Sequence, residues 1–253
     1  DLDAFMGVAK TYDDREGGYS GLFLLGNDID YTGREYTPKF PSYDVKDYRS
    51  GGFVGIFDGQ NHTINGFHTV GDRSGLIGWL GPAGIIQNVS FINAIQEGNG
   101  ALISPSCIGT VKNIYVSVFV NAGTGEWGLG PSVFGSDLLP ESRFEKVFVE
   151  YIGRTGNMTS GYPLWVYYPG YNILSGGMYA VGVDKLWCSG SVGGGENTYG
   201  AYATYADLQA AKVDFSGWEN DFWTVKNGLP YPKGFETEVV VKISNTQLTC
   251  TAG

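Results

Sequence analysis

The chain has 253 residues, 42% hydrophobic and only 17% charged, with 40 Gly and 17 Tyr. Such a composition suits one or two domains, allows a single elongated repeat domain, and favours tight turns and β-structure over helices or a disordered tail. A net charge of −10, with 16 basic residues spread thinly, argues against nucleic acid as a partner, because neutralising phosphates needs clustered Lys and Arg.

No run approaches the length of a membrane span, and residue 1 does not open a signal peptide. The chain begins at Asp1 rather than Met, so a lost leader or preceding segment is expected. Residues 1–50 read as an N-terminal capping region ahead of a repeat region over 51–192.

Within 51–192 one phrase recurs. Ile86-Gln87-Asn88-Val89-Ser90-Phe91 is followed by Val111-Lys112-Asn113-Ile114-Tyr115-Val116. Then come Phe144-Glu145-Lys146-Val147-Phe148-Val149 and Val183-Asp184-Lys185-Leu186-Trp187-Cys188, with Ile64-Asn65-Gly66-Phe67 as an earlier, looser copy. A second phrase precedes each copy: Gly75-Leu76-Ile77-Gly78, Gly100-Ala101-Leu102-Ile103, Ser132-Val133-Phe134-Gly135 and Met178-Tyr179-Ala180-Val181-Gly182. These runs are too short and too β-branched or aromatic to be helices.

One circuit of a parallel β-helix takes ~20–30 residues, at ~3.3 Å per residue plus corners. Alternation then turns every second side chain inward, so equivalent positions of successive coils stack. The chain therefore reads as all-β: a right-handed parallel β-helix (solenoid) with a short capping helix and a C-terminal β segment. Val89, Ile114, Val147 and Leu186 are expected to form one apolar ladder, and Ile86, Val111, Phe144 and Val183 another. Asn88 and Asn113 are expected to face a turn and bond to backbone groups of neighbouring coils. The lengthening intervals between copies indicate corner insertions, which loops tolerate at small entropic cost. A β-propeller or sandwich would also give short regular strands, but through hairpins whose strands lie closer in sequence than these phrases.

Residues 151–177 read as an insert without a counterpart in the repeat pattern. It contains Tyr162-Pro163-Leu164-Trp165-Val166-Tyr167-Tyr168-Pro169-Gly170-Tyr171. Trp and Tyr offer flat apolar faces with polar tips, suited to sugar rings or protein interfaces. Tyr162, Trp165, Tyr167, Tyr168 and Tyr171 are therefore the ligand-binding candidates; the competing reading folds this loop onto the solenoid flank and buries its own rings. Residues 193–234 read as a C-terminal cap. Tyr205–Ala211 is the one helix expected, with Thr204 as its N-cap. Trp218, Phe222 and Trp223 are expected to cover the end of the solenoid, since open strand edges invite aggregation. From 235 to 253 the texture changes to a β-forming segment or linker.

The groups able to carry chemistry are scattered. Cys107, Cys188 and Cys250 form no CxxC pair and lie far in sequence from His62 and His68, so they read as buried small hydrophobes rather than a zinc site or disulfide framework. Asp58 and His62 offer an acid–base pair, but Asp58-Gly59 is a turn signature and the turn is the preferred reading. Asn27-Asp28-Ile29-Asp30 gathers oxygens without the spacing of an EF-hand and reads as corner capping. Glu126, Asp137, Glu141, Glu145 and Glu150 surround the third coil. Glycosidases of this architecture pair carboxylates ~5–10 Å apart, yet Glu145 and Glu150 also fit outward strand positions. Arg143 and Arg154 belong to no motif. No nucleophile elbow, P-loop or dinucleotide fingerprint occurs, and Gly193-Gly194-Gly195 is a flexible corner. No catalytic residue, metal ligand or cofactor is assigned.

The N-terminal half resembles proteins carrying GLUG-type repeats. Their layout runs from an "L-x-x-DID" phrase through "F-x-G-x-FDGQ-x-H-x-I-x-G" to a "GLFG" run and an "I-x-N" strand. Here Leu25-Gly26-Asn27-Asp28-Ile29-Asp30, Phe53 to Gly66, Gly75-Leu76-Ile77-Gly78 and Ile86-Gln87-Asn88 follow in that order. Trp223 to Pro232 is similar to the closing segment after such repeats, and Gln247 to Gly253 to the opening strand of a bacterial Ig-like module. Lys146 and Lys185, standing where the repeat has Asn, depart from the pattern. The resemblance implies a β-helix in bacterial surface proteins, secreted adhesins or phage-related proteins. The expectation is an extracellular, non-enzymatic structural or recognition protein: a phage virion component (tail or head fibre, spike or decoration) assembling with other subunits, a homotrimer being in keeping with fibres. The alternatives are a bacterial cell-surface adhesin that binds glycans, and a polysaccharide-degrading β-helix enzyme.

Overall fold

The computed structural model describes residues 2, 5, 20–36, 52–71, 75–98, 100–105, 107–121, 132–134, 143–155, 162–164, 177–182 and 199–235. Strands dominate and helix is scarce, so the chain is all-β. In chain order the strands are β1 (Leu22–Leu24), β2 (Ile29–Asp30), β3 (Ile56–Asp58), β4 (Thr63–Asn65), β5 (His68–Val70), β6 (Ile85–Glu97), β7 (Ala101–Ser104) and β8 (Thr110–Asn121). They continue as β9 (Ser132–Phe134), β10 (Arg143–Thr155), β11 (Tyr162–Leu164), β12 (Met178–Val181), β13 (Tyr199–Tyr202), β14 (Trp223–Lys226) and β15 (Leu229–Pro232).

A ten-stranded sheet runs β1-β3-β6-β8-β10-β12-β13, with β2, β4 and β5 attached beside it. All of its pairings are parallel. A second parallel sheet runs β11-β9-β7. Leu76 and Ile77 donate their backbone N–H groups to Leu102 and Ile103 ahead of it. Parallel single bridges at Phe53, Leu80 and Cys107 line up a further column. The first phrase thus lies in the ten-stranded sheet and the second, in its copies at 101–103 and 132–134, in the other sheet, but the copy expected at Met178–Val181 is instead β12 of the ten-stranded sheet.

The long strands bend. β6 faces β3, β4 and β5 in turn, and its left-handed residues Asn88 (φ 53°) and Asn93 (φ 49°) fall between those segments. Asn113 (φ 51°) and Lys146 (φ 54°) repeat the first corner in β8 and β10. Asn tolerates this conformation better than other side chains carrying a Cβ, which accounts for its recurrence there. An αL corner costs roughly 1 kcal/mol, whereas each buried Val, Leu, Ile or Phe contributes about 1.5–3 kcal/mol. The packing on either side of the corner therefore wins.

Two expected ladders form in their first members. Phe57, Ile86, Val111 and Phe144 stand in register, as do Val89, Ile114 and Val147, and all are buried. The continuation differs. Val147 pairs with Met178 and Val149 with Ala180, so β12 takes the place expected for the run from Val183 to Cys188, which lies outside the described residues. Ile64 stands opposite Phe91 rather than Ile86, so Phe57 and Asp58, not the run from Ile64 to Phe67, precede the first phrase. The stretch at 151–177 is also less foreign than expected, because β11 inside it is a strand of the second sheet.

At the N-terminal end Leu2 and Phe5 are helical and buried, which the sequence reading missed. The Phe5 ring meets Phe23 and Phe57 edge-on at 4.9 and 5.2 Å. Cys107 is a fully buried thiol, its pKa pushed far up by that burial, as a small hydrophobe should be. Cys188 and Cys250 lie outside the described residues, as does 236–253 with the expected Ig-like strand.

Candidate functional site

Side chains at the corners hydrogen-bond from one strand to the next. Asp58 Oδ1 accepts from the Gln60 backbone and from Asn88 Nδ2, and Asp58 Oδ2 accepts from Gln87 Nε2. Asn113 Nδ2 then donates to Asn88 Oδ1 at 2.8 Å. The expectation that Asn88 and Asn113 bond to backbone is corrected: matched left-handed corners bring the amides close enough to bond each other. A second ladder joins Asp30, Asn65 and Asn93. Asp30 also accepts from the Thr32 backbone, and its carboxyl is held below the usual range mainly by Thr32.

The suspected acid–base pair does not form. Asp58 is occupied by the ladder, and His62 Nδ1 lies 3.1 Å from Asp28 Oδ1, which also accepts from the Thr63 backbone. Asp28 and Asp30 serve as corner caps. His68 Nε2 sits 3.1 Å from Glu97. Among the described residues no three His, Cys, Asp or Glu side chains converge as metal ligands. Nor is any described helix long and apolar enough to cross a membrane.

The C-terminal segment does something the sequence reading did not foresee. Along β8, β10 and β12 the residues Ile114, Val147 and Met178 enter the main core, while Tyr115, Phe148 and Tyr179 belong to a second cluster with Leu208, Phe215, Trp218, Phe222 and Trp223. Trp218, Phe222 and Trp223 therefore cover an outer face of the sheet rather than the end of a solenoid. Tyr115 stacks on Phe148 at 6.4 Å, Phe215 meets Tyr179 edge-on at 4.9 Å, and Trp223 meets Tyr115 edge-on at 6.4 Å. The signal was present in the later repeat phrases: Tyr115 and Phe148 at their fifth position make both faces of a parallel strand apolar, as when both are covered.

Local rules build this cap. A capping box holds the helix Tyr205–Ala210, with Thr204 Oγ1 accepting from the Asp207 N–H and the Asp207 carboxylate accepting from the Thr204 N–H. A short 3₁₀ turn follows at Ser216–Trp218, and β14 pairs antiparallel with β15 across Asn227-Gly228, both at positive φ. Asn220 ties the cap to the amide ladder: its Nδ2 donates to Asn113 Oδ1, and its Oδ1 accepts from the N–H groups of Phe222 and Trp223.

Beneath the cap lies a carboxylate. Glu150 is 4% exposed, and the Tyr115 hydroxyl donates to its Oε2 at 2.6 Å. The Tyr205 hydroxyl, from the cap helix, hydrogen-bonds the same carboxyl, and Tyr231 lies close enough to feel its charge. Burial pushes the Glu150 carboxyl above its ordinary range, against the pull of the two phenols. Burial likewise pushes up the phenols of Tyr115 and Tyr205, and the nearby carboxylate adds to it. Glu145, by contrast, is partly exposed and pairs with Lys112 at 3.4 Å.

Of the aromatic candidates, Tyr162 opens β11 on the second sheet; Trp165, Tyr167, Tyr168 and Tyr171 lie outside the described residues. Glu126, Asp137 and Glu141 do too. Leu22 and Leu24 on the sheet's first strand are 64% and 55% exposed, large apolar side chains that the sequence reading did not single out.

No family model matches the chain. No solved structure matches it either. Over 75 residues it is 37% identical to Halomucin of Haloquadratum walsbyi, an alignment that covers 27% of this chain and 1% of that much longer protein.

Proposed function

We propose that the two parallel sheets are walls of one right-handed parallel β-helix of the kind carried by GLUG-repeat proteins. In this reading the chain is a non-enzymatic, extracellular structural and recognition element: a phage virion component such as a tail or head fibre, spike or decoration protein, serving assembly or host-surface attachment. The observation that carries it is the in-register stack of buried ladders with amide ladders at the corners, from Asp58 through Asn88 and Asn113. Such a stack suits a stiff body that presents extended faces. The exposed Leu22 and Leu24 on its first strand add a place for a neighbouring subunit. Native mass measurement at rising concentration tests this. A defined symmetric oligomer, a homotrimer in the fibre version, is expected; a monomer with no partner at high concentration would remove the virion reading.

The aromatic run from Tyr162 to Tyr171 favours a second reading, a bacterial surface adhesin that binds glycans through that run. A glycan array probed with the wild type and Trp165→Ala separates the two: binding lost in the variant supports the adhesin, and binding unchanged removes the run from consideration. Release of reducing ends or unsaturated products from capsule or cell-wall glycans would overturn the non-enzymatic reading.

A further inference from the structure

The cap closes over the sheet through a contact that is both apolar and titratable. Its apolar part is the aromatic cluster of Tyr115, Phe148 and Tyr179 with Phe215, Trp218 and Trp223. Its titratable part is Glu150, which reaches from β10 into that contact and is hydrogen-bonded by one phenol of the sheet and one of the cap helix. Tyr231 faces it from β15, and on β13 Tyr202 stands beside Val181, the register partner of Glu150 on β12. Among the described residues no Lys or Arg acts on this carboxyl; its hydrogen-bond partners are phenols alone. Two further polar groups are sealed in without hydrogen-bond partners among the described residues: the Trp223 indole N–H in the cap and the Ser90 hydroxyl on β6, one strand over from Tyr115.

We propose that the segment 203–235 is a proton-sensitive lid on the outer face of the sheet, closed over a neutral Glu150 and loosened when that carboxyl ionises. An ionised carboxylate under the closed lid keeps two phenol donors but loses water and meets no cation. Lifting the lid returns Glu150 to water and lets the Trp223 N–H and Ser90 hydroxyl find partners, while it uncovers Tyr115, Phe148 and Tyr179.

The sign follows from the raised carboxyl. A group whose folded pKa lies above its free value stabilises the closed state fully below the free value, 4.5 for this glutamate. That stabilisation is lost as pH rises from there through the raised value. The lid therefore holds most tightly in acid and loosens as pH climbs above 4.5.

Hydrogen exchange of the full-length chain, read by mass spectrometry on peptides within 205–232 and corrected for the intrinsic pH dependence of exchange, tests this. In the wild type, protection of the lid is expected to fall with rising pH through that window, by up to about tenfold per pH unit for one proton, while peptides from 56–70 stay level. Glu150→Gln, a permanently neutral copy, is expected to keep full protection across the window. Tyr115→Phe removes a donor that holds the anion, so its fall should extend to higher pH. An unchanged pH dependence in Glu150→Gln, or wild-type protection that rises with pH, overturns the proposal. Should Glu150→Gln fail to fold, Tyr115→Phe decides alone: an unshifted window overturns it.

Discussion

Asn220 donates through its side-chain amide to Oδ1 of Asn113 at 3.1 Å, joining residues 107 positions apart. The same Asn220 accepts from the N–H groups of Phe222 and Trp223, so one side chain shapes the cap and anchors it. Asn220→Ala leaves two backbone donors and the Asn113 oxygen short of partners, and should cost about 1–3 kcal/mol. Asn113→Gly keeps the left-handed corner while cutting the ladder. A double-mutant cycle of the two, followed by urea unfolding, should return a coupling of about 0.5–1.5 kcal/mol; strict additivity would show that the bond does not hold the cap.

Lys146 occupies the corner that Asn88 and Asn113 occupy on the preceding strands, at φ 54°. Lysine is an uncommon residue at such a left-handed φ, whereas Asn tolerates it. Lys146→Asn should raise stability by about 0.5–1 kcal/mol, read as a higher urea midpoint at unchanged slope. A loss of stability would mean that the Lys146 side chain makes a contact worth more than the strain.

Gly109 lies hard against the backbone at Gly81 and Gly84. A Cβ there would collide with the carbonyl oxygen of Gly84, a rigid backbone atom. Gly109 also donates its N–H towards Leu80 O, and its carbonyl receives the Arg143 N–H, so the backbone cannot move away freely. Gly109→Ala should therefore cost more than about 1 kcal/mol and lower the yield of folded protein; thermal unfolding of the variant measures it.

Tyrosine ionisation should open the cap at high pH. Burial raises the phenols of Tyr115, Tyr205, Tyr179, Tyr202 and Tyr231 above the ordinary value of 10.0. Their contribution to stability is thus complete below that value and is lost as pH rises through the raised values. Phenolate absorbance should appear late, together with a change in Trp emission as Trp218 and Trp223 meet water. Phenolate formation centred at the ordinary value without that change would contradict the burial of these rings.

Much of the architecture could be read from residue order. The two recurring phrases alternate in order and keep the same internal pattern, so Ile86 with Val111 and Phe144, or Val89 with Ile114 and Val147, could be lined up without coordinates. The next rung could not. Met178–Val181 and the run from Val183 to Cys188 are both apolar and β-forming, and alternation alone does not say which of two adjacent runs pairs with β10. The same ambiguity hid β11 inside the aromatic stretch.

The amide ladder was half legible. Asn at matched positions marked a corner, but a sequence cannot state whether an amide meets a backbone group or another amide; that depends on the angle at which two αL corners stack. For the site, outward residues such as Tyr115 and Phe148 signalled a covered face, while Glu150 looked like any solvated strand position. Its burial is a property of the cap, which arrives from more than fifty residues later in the chain.

By itself the sequence determined what short-range periodicity can encode: an all-β chain, inward ladders, Asn corners, a Thr204-capped helix and a buried Cys107. Only the tertiary structure decided which run follows β10, that Asn220 docks on Asn113, and that Trp218, Phe222 and Trp223 close over the outer face and seal Glu150 beneath it. Alternation and capping act between residues a few positions apart, whereas docking selects among distant surfaces by how well their shapes and hydrogen bonds fit once the sheets exist.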